Sequence, residues 1–211
     1  MEATAIHALL QERFGEAVLD YVDSFDKGST VEVSRIAEIC AAMRDDEALA
    51  FDSLMCLTGI DWDGYDESGK GKSVAILGYD ESGKPEQSDR VAEGGLGVAY
   101  ALYSHRHGHK YCLFVTLPRE GVEVPSVAGV WPTGGWHERE AFDLVGMRFS
   151  GHPDHRRILL DDAWEGHPLR KDYVMPDQWD GVPLEGQPYA DSKWGEDAVQ
   201  LPDLSQYDEK G

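Results

Sequence analysis

Residues 131–173, WPTGGWHEREAFDLVGMRFSGHPDHRRILLDDAWEGHPLRKDY, decide how the chain is interpreted. Ten of these 43 residues are aromatic or histidine, and acidic and basic residues are interleaved with them. A core strand carries few charges, whereas a solvated charge run carries few aromatic rings. The composition of this signature segment therefore predicts a surface on which another protein docks.

Turn signals divide the signature segment into one helix and several loops. The breaker at residues 132–135 precedes a helix-compatible run at residues 136–145, which Gly146 can end as a left-handed cap. The apolar residues of the run form a stripe, so we expect its charged side to face outward. Arg139 and Asp143 stand at i,i+4 spacing on that side.

The remainder of the signature segment is loop-rich. Residues 147–149 alternate like a short strand, and residues 151–154 form a turn. Residues 156–160 lead from two arginines into an apolar stretch, and a loop at residues 164–168 precedes residues 169–173.

This pattern resembles the C subunit of NADH-quinone oxidoreductase, the bacterial respiratory complex I. That family carries Trp-His-Glu-Arg-Glu, then spaced Asp, Gly and Phe, then Gly-His-Pro-Asp, Arg-Arg-Ile-Leu and Trp-Glu-Gly-His-Pro-Leu-Arg-Lys-Asp before an aromatic. The chain matches at residues 136–140, 143, 146, 149, 151–154, 156–159 and 164–173. It departs at Val145, where an aromatic is usual, and at His155, where leucine is usual. We interpret both departures as local repacking.

The resemblance implies a non-catalytic structural subunit of the peripheral arm, docking on the D subunit with the B and I subunits nearby. Electron transfer from NADH to quinone, coupled to proton translocation, would belong to the whole assembly. FMN, iron–sulfur clusters and quinone would bind to other subunits, and this chain would hold no cofactor, metal or catalytic residue. Its expected location is peripheral, on the cytoplasmic side of the cell inner membrane.

Two alternatives stay open at this point. The same pattern could serve the equivalent subunit of a related membrane-bound hydrogenase. A free-standing metal-dependent hydrolase could instead use the histidine and carboxylate clusters. A co-purified catalytic subunit would distinguish the first alternative, and stoichiometric bound metal would distinguish the second.

The candidate partner-interface residues are those that carry the resemblance. We expect the carboxylates of the helix to form an ion-pair network with Arg139, Arg156 and Arg157, which adds register rather than acid–base catalysis. The candidates are Trp136, His137, Glu138, Arg139, Glu140, Asp143, Gly146, His152, Pro153, Arg156, Arg157, Trp164, His167, Arg170, Lys171, Asp172 and Tyr173.

Charge, cysteine content and apolar runs exclude several classes of function. With 19 basic and 40 acidic residues the net charge is −21, which excludes a nucleic-acid footprint and adhesion to an anionic membrane. Cys40, Cys56 and Cys112 are scattered, so they predict neither a disulfide scaffold nor a cysteine-held metal, and they fit a reducing compartment. The sequence shows no signal peptide and no long apolar run, so we expect no direct membrane insertion.

The predicted fold class is α+β, with a mixed or antiparallel sheet covered by helices and an extended C-terminal arm. Periodicity and turn signals carry this prediction. The expected helices lie at 3–14, where Gly15 ends the helix, and from a cap at Ser34 to Met43. Two hairpins are expected, one of strands 18–22 and 30–33 with a turn at 26–29, and one of strands 97–103 and 110–117. A short helical start followed by a strand is expected within 51–60, and a further strand at 72–77.

The domain organisation is predicted as residues 1–173 followed by an acidic, proline-containing tail at 174–211. Within the first part, residues 61–97 form a polar inserted hairpin region. The tail cannot build a core alone, and we expect it to lie along a partner as an arm, as in the family it resembles.

Other motifs are incomplete. The sequence GYDESGK occurs at 64–70 and 78–84, but the first copy is followed by glycine and the second by proline, which opposes a phosphate loop. The acidic residues from Asp61 onward fail the calcium-loop pattern at Tyr65 and are expected in a solvated turn. His137-Glu138 lacks the second histidine of a zinc-protease helix.

His105, His107 and His109 alternate and could in principle hold zinc. Their glycine and cationic neighbours instead favour a solvated hairpin tip.

Overall fold

The computed structural model describes residues 1–23, 26–62, 76–79, 85–87, 95–119, 121 and 123–184. In this part of the chain the helices are α1 (Ala3–Phe14), α2 (Ile36–Asp45) and α3 (Gly134–Val145). The strands are β1 (Val18–Val22), β2 (Gly28–Val31), β3 (Ser53–Asp61), β4 (Ile76–Tyr79), β5 (Pro85–Gln87), β6 (Leu96–Ser104), β7 (His109–Leu117), β8 (Val124–Pro125), β9 (Phe149–Ser150), β10 (Gln178–Trp179) and β11 (Val182–Pro183).

A five-stranded sheet in the order β1-β2-β7-β6-β3 organises the first of two compact units, Met1–Tyr173. The β2–β7 pair is parallel, and the other neighbouring pairs are antiparallel. The sheet is therefore mixed, and the predicted α+β class is confirmed. The β6–β7 hairpin is also confirmed, with Gly108 at φ 66° in its tip.

One face of the sheet is buried in the core. Val98, Tyr100 and Leu102 of β6 are fully buried, whereas the intervening Ala99 and Ala101 are half-buried. This alternation arises because successive strand residues point to opposite faces. The same core includes apolar residues of all three helices, so the helices cover this face as predicted.

Helices α1 and α2 lie close to their predicted positions. Helix α1 ends at Gly15, whose φ of 57° suits glycine, and α2 buries Ile36, Ile39, Cys40 and Met43 as expected. The expected Ser34 cap is wrong, because a 3-10 turn at Val33–Arg35 leads directly into α2 and no side chain caps it.

Two strand boundaries differ from the prediction. Gly28 belongs to β2 rather than to the preceding turn, because its backbone pairs with Cys112 and a Cβ atom at Gly28 would collide with the Cys112 carbonyl. Residues 51–60 contain no helical start: Phe51 is buried in a loop, its carbonyl accepts a 3.0 Å hydrogen bond from Trp131 Nε1, and β3 follows.

The polar inserted region leaves and re-enters the sheet at one place, because Asp61 of β3 pairs with Leu96 of β6. Its described residues form the antiparallel pair β4–β5. Of the predicted strand 72–77, only Ile76 and Leu77 are described, and both lie in β4. The first GYDESGK copy and residues 80–84 of the second lie outside the described residues.

The second unit, Val174–Gly211, is described as far as residue 184. Its strands β10 and β11 form an antiparallel hairpin. The two residues of its turn, Asp180 (φ 46°) and Gly181 (φ 77°), both have positive φ. This turn matches the twist of a tight antiparallel hairpin. The remainder of the predicted arm, 185–211, lies outside the described residues.

Candidate partner-binding site

Helix α3 is the centre of the signature segment. It begins at Gly134, two residues earlier than predicted, where an added Cβ would lie 3.2 Å from Val127 Cγ2. It ends at Gly146 with φ 78° and ψ 25°, the predicted left-handed cap.

The charged side of α3 does not face outward, so that expectation is wrong. Glu138, Arg139 and Asp143 are all buried. The cause is that backbone segments at 126–127 and 156–160 pack against α3 and donate or accept hydrogen bonds with these side chains.

Glu138 binds the loop that precedes α3. Its Oε1 accepts a 2.6 Å hydrogen bond from the Val127 N–H, and its Oε2 accepts one of 2.6 Å from the Ser126 hydroxyl. His152 Nε2 lies 3.7 Å from the same Oε2. Burial raises the pKa of Glu138, and these neighbours offset that rise only in part.

His152 joins α3 to the following turn. Its Nδ1 accepts a 2.9 Å hydrogen bond from the Asp154 N–H, so the ring proton resides on Nε2, which lies 3.0 Å from the Gly135 carbonyl and donates to it. The neighbouring His155, one of the two departures from the family pattern, accepts a 3.1 Å hydrogen bond from the Phe149 N–H through Nε2. Both histidines therefore fix loop backbone.

Arg139 also binds backbone. Its Nε donates to the Arg156 carbonyl at 3.1 Å and its Nη2 to the Arg157 carbonyl at 2.9 Å. Its guanidinium lies 5.5 Å from the centroid of the Trp136 ring, a cation–π contact, and 3.6 Å from Asp154. The i,i+4 geometry with Asp143 is not used, because both side chains bind the overlying loop.

Asp143 binds the backbone of the loop at 158–160. Its Oδ2 accepts hydrogen bonds from the N–H groups of Ile158, Leu159 and Leu160 at 2.7–3.0 Å, while Oδ1 pairs with Arg157 Nη1 at 2.6 Å. Burial alone would raise the pKa of Asp143, but these donors outweigh burial and lower it. The apolar stretch at 158–160, predicted to follow two arginines, is thus held by its backbone N–H groups, which converge on this carboxylate.

Arg157 extends this network to the next loop. Besides the Asp143 carboxylate, it donates to the Asp143 carbonyl at 3.1 Å and to the carbonyls of Trp164 and Gly166 at 3.0 and 2.9 Å. The planar guanidinium suits such a fork of acceptors. Of the expected ion-pair network, the Asp143–Arg157 pair is present, whereas Arg139 and Arg156 lie beside Asp154. These pairs stabilise the chain's own loops.

The end of α3 is covered by His167 and Arg170. His167 Nδ1 lies 2.9 Å from the Asp143 carbonyl, and Arg170 Nε donates to the Val145 carbonyl at 2.7 Å. A Cβ atom at Gly146 would lie 2.5 Å from both side chains. Glycine is thus required here both by its positive φ and by this close packing.

One buried ion pair was not predicted from the sequence. Asp61, expected in a solvated turn, is buried at the end of β3, where both of its carboxylate oxygens accept hydrogen bonds from Arg119 at 2.8 and 2.9 Å. The Lys171 N–H donates to Asp61 at 2.9 Å, and Asp172 pairs with Arg119. The sequence signal for this pair was an aspartate at the end of one apolar strand and an arginine just after the end of another.

Large apolar side chains remain exposed around this buried network. Trp136 is 64%, Leu159 61% and Leu169 59% exposed. Trp164 Nε1 donates to the Tyr173 hydroxyl at 3.0 Å, which fastens the last loop. The other predicted residues at the surface are Glu140, Pro153, Arg156, Lys171 and Asp172, with His137 half-buried.

The sequence matches the model of the family described as "Respiratory-chain NADH dehydrogenase, 30 Kd subunit" over residues 29–179, which is most of the chain. The chain belongs to this family. The resemblance inferred from the signature segment is thereby confirmed.

Named relatives agree with this family. The C subunit of NADH-quinone oxidoreductase from Chlorobium phaeobacteroides is 35% identical over 173 residues, covering 78% of this chain and 84% of the relative. The C subunit from Chloroherpeton thalassium is 37% identical over 164 residues, covering 75% of this chain but only 55% of that relative.

Among solved structures, the fold of this 30 Kd family member is similar to that of a chain of the membrane-bound sulfane sulfur reductase, an archaeal respiratory membrane complex. The TM-score is 0.58 at 19% identity, covering 83% of this chain and 87% of the other. This similarity concerns the fold. None of the helices in the described residues is long and apolar enough to span a membrane.

The histidines of the β6–β7 hairpin are docked on residues 46–52 of the same chain. His105 Nδ1 lies 2.7 Å from Asp52, and the Nε2 atoms of His107 and His109 lie 2.8 Å from the Glu47 and Leu49 carbonyls. The expected solvated turn is wrong for His109, which is buried. Within the described ranges, no group of three His, Cys, Asp or Glu residues is placed to hold a metal.

Proposed function

We propose that the chain is a structural subunit of the peripheral arm of NADH-quinone oxidoreductase and that it docks on the D subunit, with the B and I subunits nearby. Family membership supports the assembly, and the geometry of the signature segment supports the role. In this proposal the chain holds its neighbours in position while they transfer electrons from NADH to quinone, coupled to proton translocation.

The exposed apolar side chains of the signature segment carry this proposal. Trp136, Leu159 and Leu169 are more than half exposed, although the backbone N–H of each donates a hydrogen bond within the chain. Rigid, exposed aromatic and aliphatic side chains are the usual anchors of protein interfaces, because little conformational entropy is lost when they are covered. The docking surface we propose is centred on these three residues.

The buried carboxylates of Glu138 and Asp143 support the docking surface from within the chain. Glu138 and Asp143 each bind at least two backbone or side-chain donors of their own chain, which places them in the scaffold of the docking surface. In our proposal this chain has no active site of its own, and FMN, iron–sulfur clusters and quinone bind to other subunits. The location we propose is peripheral, on the cytoplasmic side of the cell inner membrane.

A related assembly is the second candidate. The similarity in fold to a chain of an archaeal sulfane sulfur reductase complex favours use of this fold in other respiratory membrane complexes. The equivalent subunit of a related membrane-bound hydrogenase is the alternative of this kind. Relatives at 35–37% identity that carry the NADH-quinone oxidoreductase name favour the first proposal.

The test is affinity purification of the tagged full-length chain from membranes of its host in mild detergent, followed by mass spectrometry and a metal assay. Recovery of the D, B and I subunits with NADH:quinone activity is the expected result. Recovery of hydrogenase or sulfur-reductase subunits would transfer the proposal to the second candidate. A solitary, metal-loaded chain would overturn both.

A further inference from the structure

A cleft of about 250 Å³ opens beside the C-terminal end of α3. Leu96 and Leu117 line it from the ends of β6 and β7. Arg119, Arg148 and Arg170 line it from three separate segments of the chain. In a chain of net charge −21, three guanidinium groups around one cleft are a local reversal of charge.

The three arginines are not equally neutralised. Arg119 pairs with both Asp61 and Asp172. Arg170 Nε donates a hydrogen bond to the Val145 carbonyl. Arg148 is exposed. Among the carboxylates of the described residues, none forms an ion pair with Arg148 or Arg170. The described lining of the cleft therefore has more cationic than anionic groups.

We propose that this cleft receives an aspartate or glutamate side chain of an acidic segment of a partner subunit. The inference rests on the proposed function and adds the chemistry of one contact to it. Arginine forks match the two oxygens of a carboxylate, and charge-assisted hydrogen bonds of this kind are about twice as strong as neutral ones. Leu96, Leu117 and Met147 form the apolar part of the lining.

Size and position favour a side chain of a docked protein over a free cofactor. Small-molecule sites commonly measure about 300–1,000 Å³, and this cleft is below that range. Gly146 and Arg170 belong to the signature segment, so the cleft adjoins the proposed docking surface. A partner anchored on that surface can place a carboxylate in the cleft without a separate binding event.

Carbodiimide coupling in the purified complex tests the contact directly. Arg148→Lys keeps the charge and introduces an amine that the reagent joins to a carboxylate only at contact distance. We expect mass spectrometry to find residue 148 linked to an acidic segment of another subunit, and the matched Arg106→Lys variant at the exposed hairpin tip to lack that link. An intact complex in which residue 148 links only within its own chain, or to nothing, overturns the inference.

Charge reversal gives the energetic test. We expect Arg148→Glu to lower recovery of the partner subunits about tenfold while the unfolding midpoint of the chain is unchanged, since this exposed side chain makes no ion pair in the described structure. Arg106→Glu, the matched control, is expected to leave recovery unchanged. If the wild-type chain recovers partners and Arg148→Glu recovers them equally, only the cleft inference fails; if wild type recovers none, the proposed function fails.

Discussion

Asp143 and Arg157 form a 2.6 Å ion pair that is withdrawn from solvent, with the Asp143 side chain fully buried and that of Arg157 13% exposed. Each partner also binds backbone, so the pair connects α3 to the loops at 158–160 and 164–166. This pair is one of the contacts that hold the candidate docking surface in shape.

Removing the carboxylate should destabilise the chain strongly. Asp143→Ala leaves Arg157 and three N–H groups without their acceptor, and breaking a buried pair in this way costs about 3–5 kcal/mol. Urea unfolding of the full-length chain measures the loss. Glu38→Ala, which removes the exposed partner of Arg35 away from this network, is the control and should leave the midpoint nearly unchanged. Equal midpoints for the two variants would contradict the role of this network.

Gly146→Ala should be more harmful than Gly151→Ala, although both glycines have φ near 77°. Left-handed strain alone costs about 1–2 kcal/mol at either site. At Gly146 the new methyl group also meets His167 and Arg170, whereas nothing lies within 4 Å at Gly151. Overpacking adds about 1–3 kcal/mol, so the difference between the two unfolding free energies measures the packing contribution. Identical losses would place the cost in backbone strain alone.

Acid should weaken the contribution of Asp143. Its pKa is lowered in the folded chain, so its stabilisation is present above the ordinary value of 3.8 and is lost as pH falls below it. We expect the unfolding free energy of wild type minus that of Asp143→Asn to shrink on acidification from pH 5 to pH 2.5. A difference that grows over this range would reverse the sign assigned to the shift.

Glu138 should behave in the opposite way. Because burial raises its pKa above the ordinary 4.5, its contribution is complete below that value and is lost as pH rises through the folded-state pKa. The stability of wild type relative to Glu138→Gln should therefore decline between pH 4.5 and pH 8. Unfolding curves for the two proteins, measured side by side across that range, test this; a constant difference would show that the carboxyl ionises normally.

Trp136→Ala should separate folding from assembly. In the isolated chain the exposed ring forms a cation–π contact with Arg139, which contributes about 0.5–1 kcal/mol. As an interface anchor it is expected to contribute at least about 2 kcal/mol, a roughly thirtyfold loss in partner binding. Co-purification and urea unfolding measure the two effects, with Leu19→Ala on β1 as an exposed control. Undiminished recovery of partners by Trp136→Ala would remove it from the docking surface.

Local patterns predicted most of the fold. The β6–β7 hairpin, the inward residues of α2 and the cap at Gly146 each depend on a few neighbouring residues, whose spacing is visible in the sequence. The Ser34 cap and the helical start before β3 failed because packing against distant segments overrode local preference.

The burial of the charged residues of α3 could not be predicted in the same way. Helical periodicity identifies the apolar stripe of α3, but Glu138, Arg139 and Asp143 are buried because they bind backbone N–H and carbonyl groups, which any sequence supplies. Arg139 shows the consequence: the prediction placed it at the surface, whereas it is 9% exposed and binds the chain's own carbonyls. The Asp61–Arg119 pair, 58 residues apart, depends on which strand ends are adjacent, and that is a property of the topology.

The parallel β2–β7 pair has a consequence for how the chain folds during synthesis. Residues 28–30 pair with residues 112–114, so β2 is complete early on the ribosome but remains without its central neighbour until some eighty further residues have been made. Until then the one described strand that can pair with β2 is β1, and a two-stranded hairpin alone is marginal in water. Pairings between distant segments also close slowly, so the N-terminal third of the nascent chain is the part with the longest exposure to chaperones and proteases.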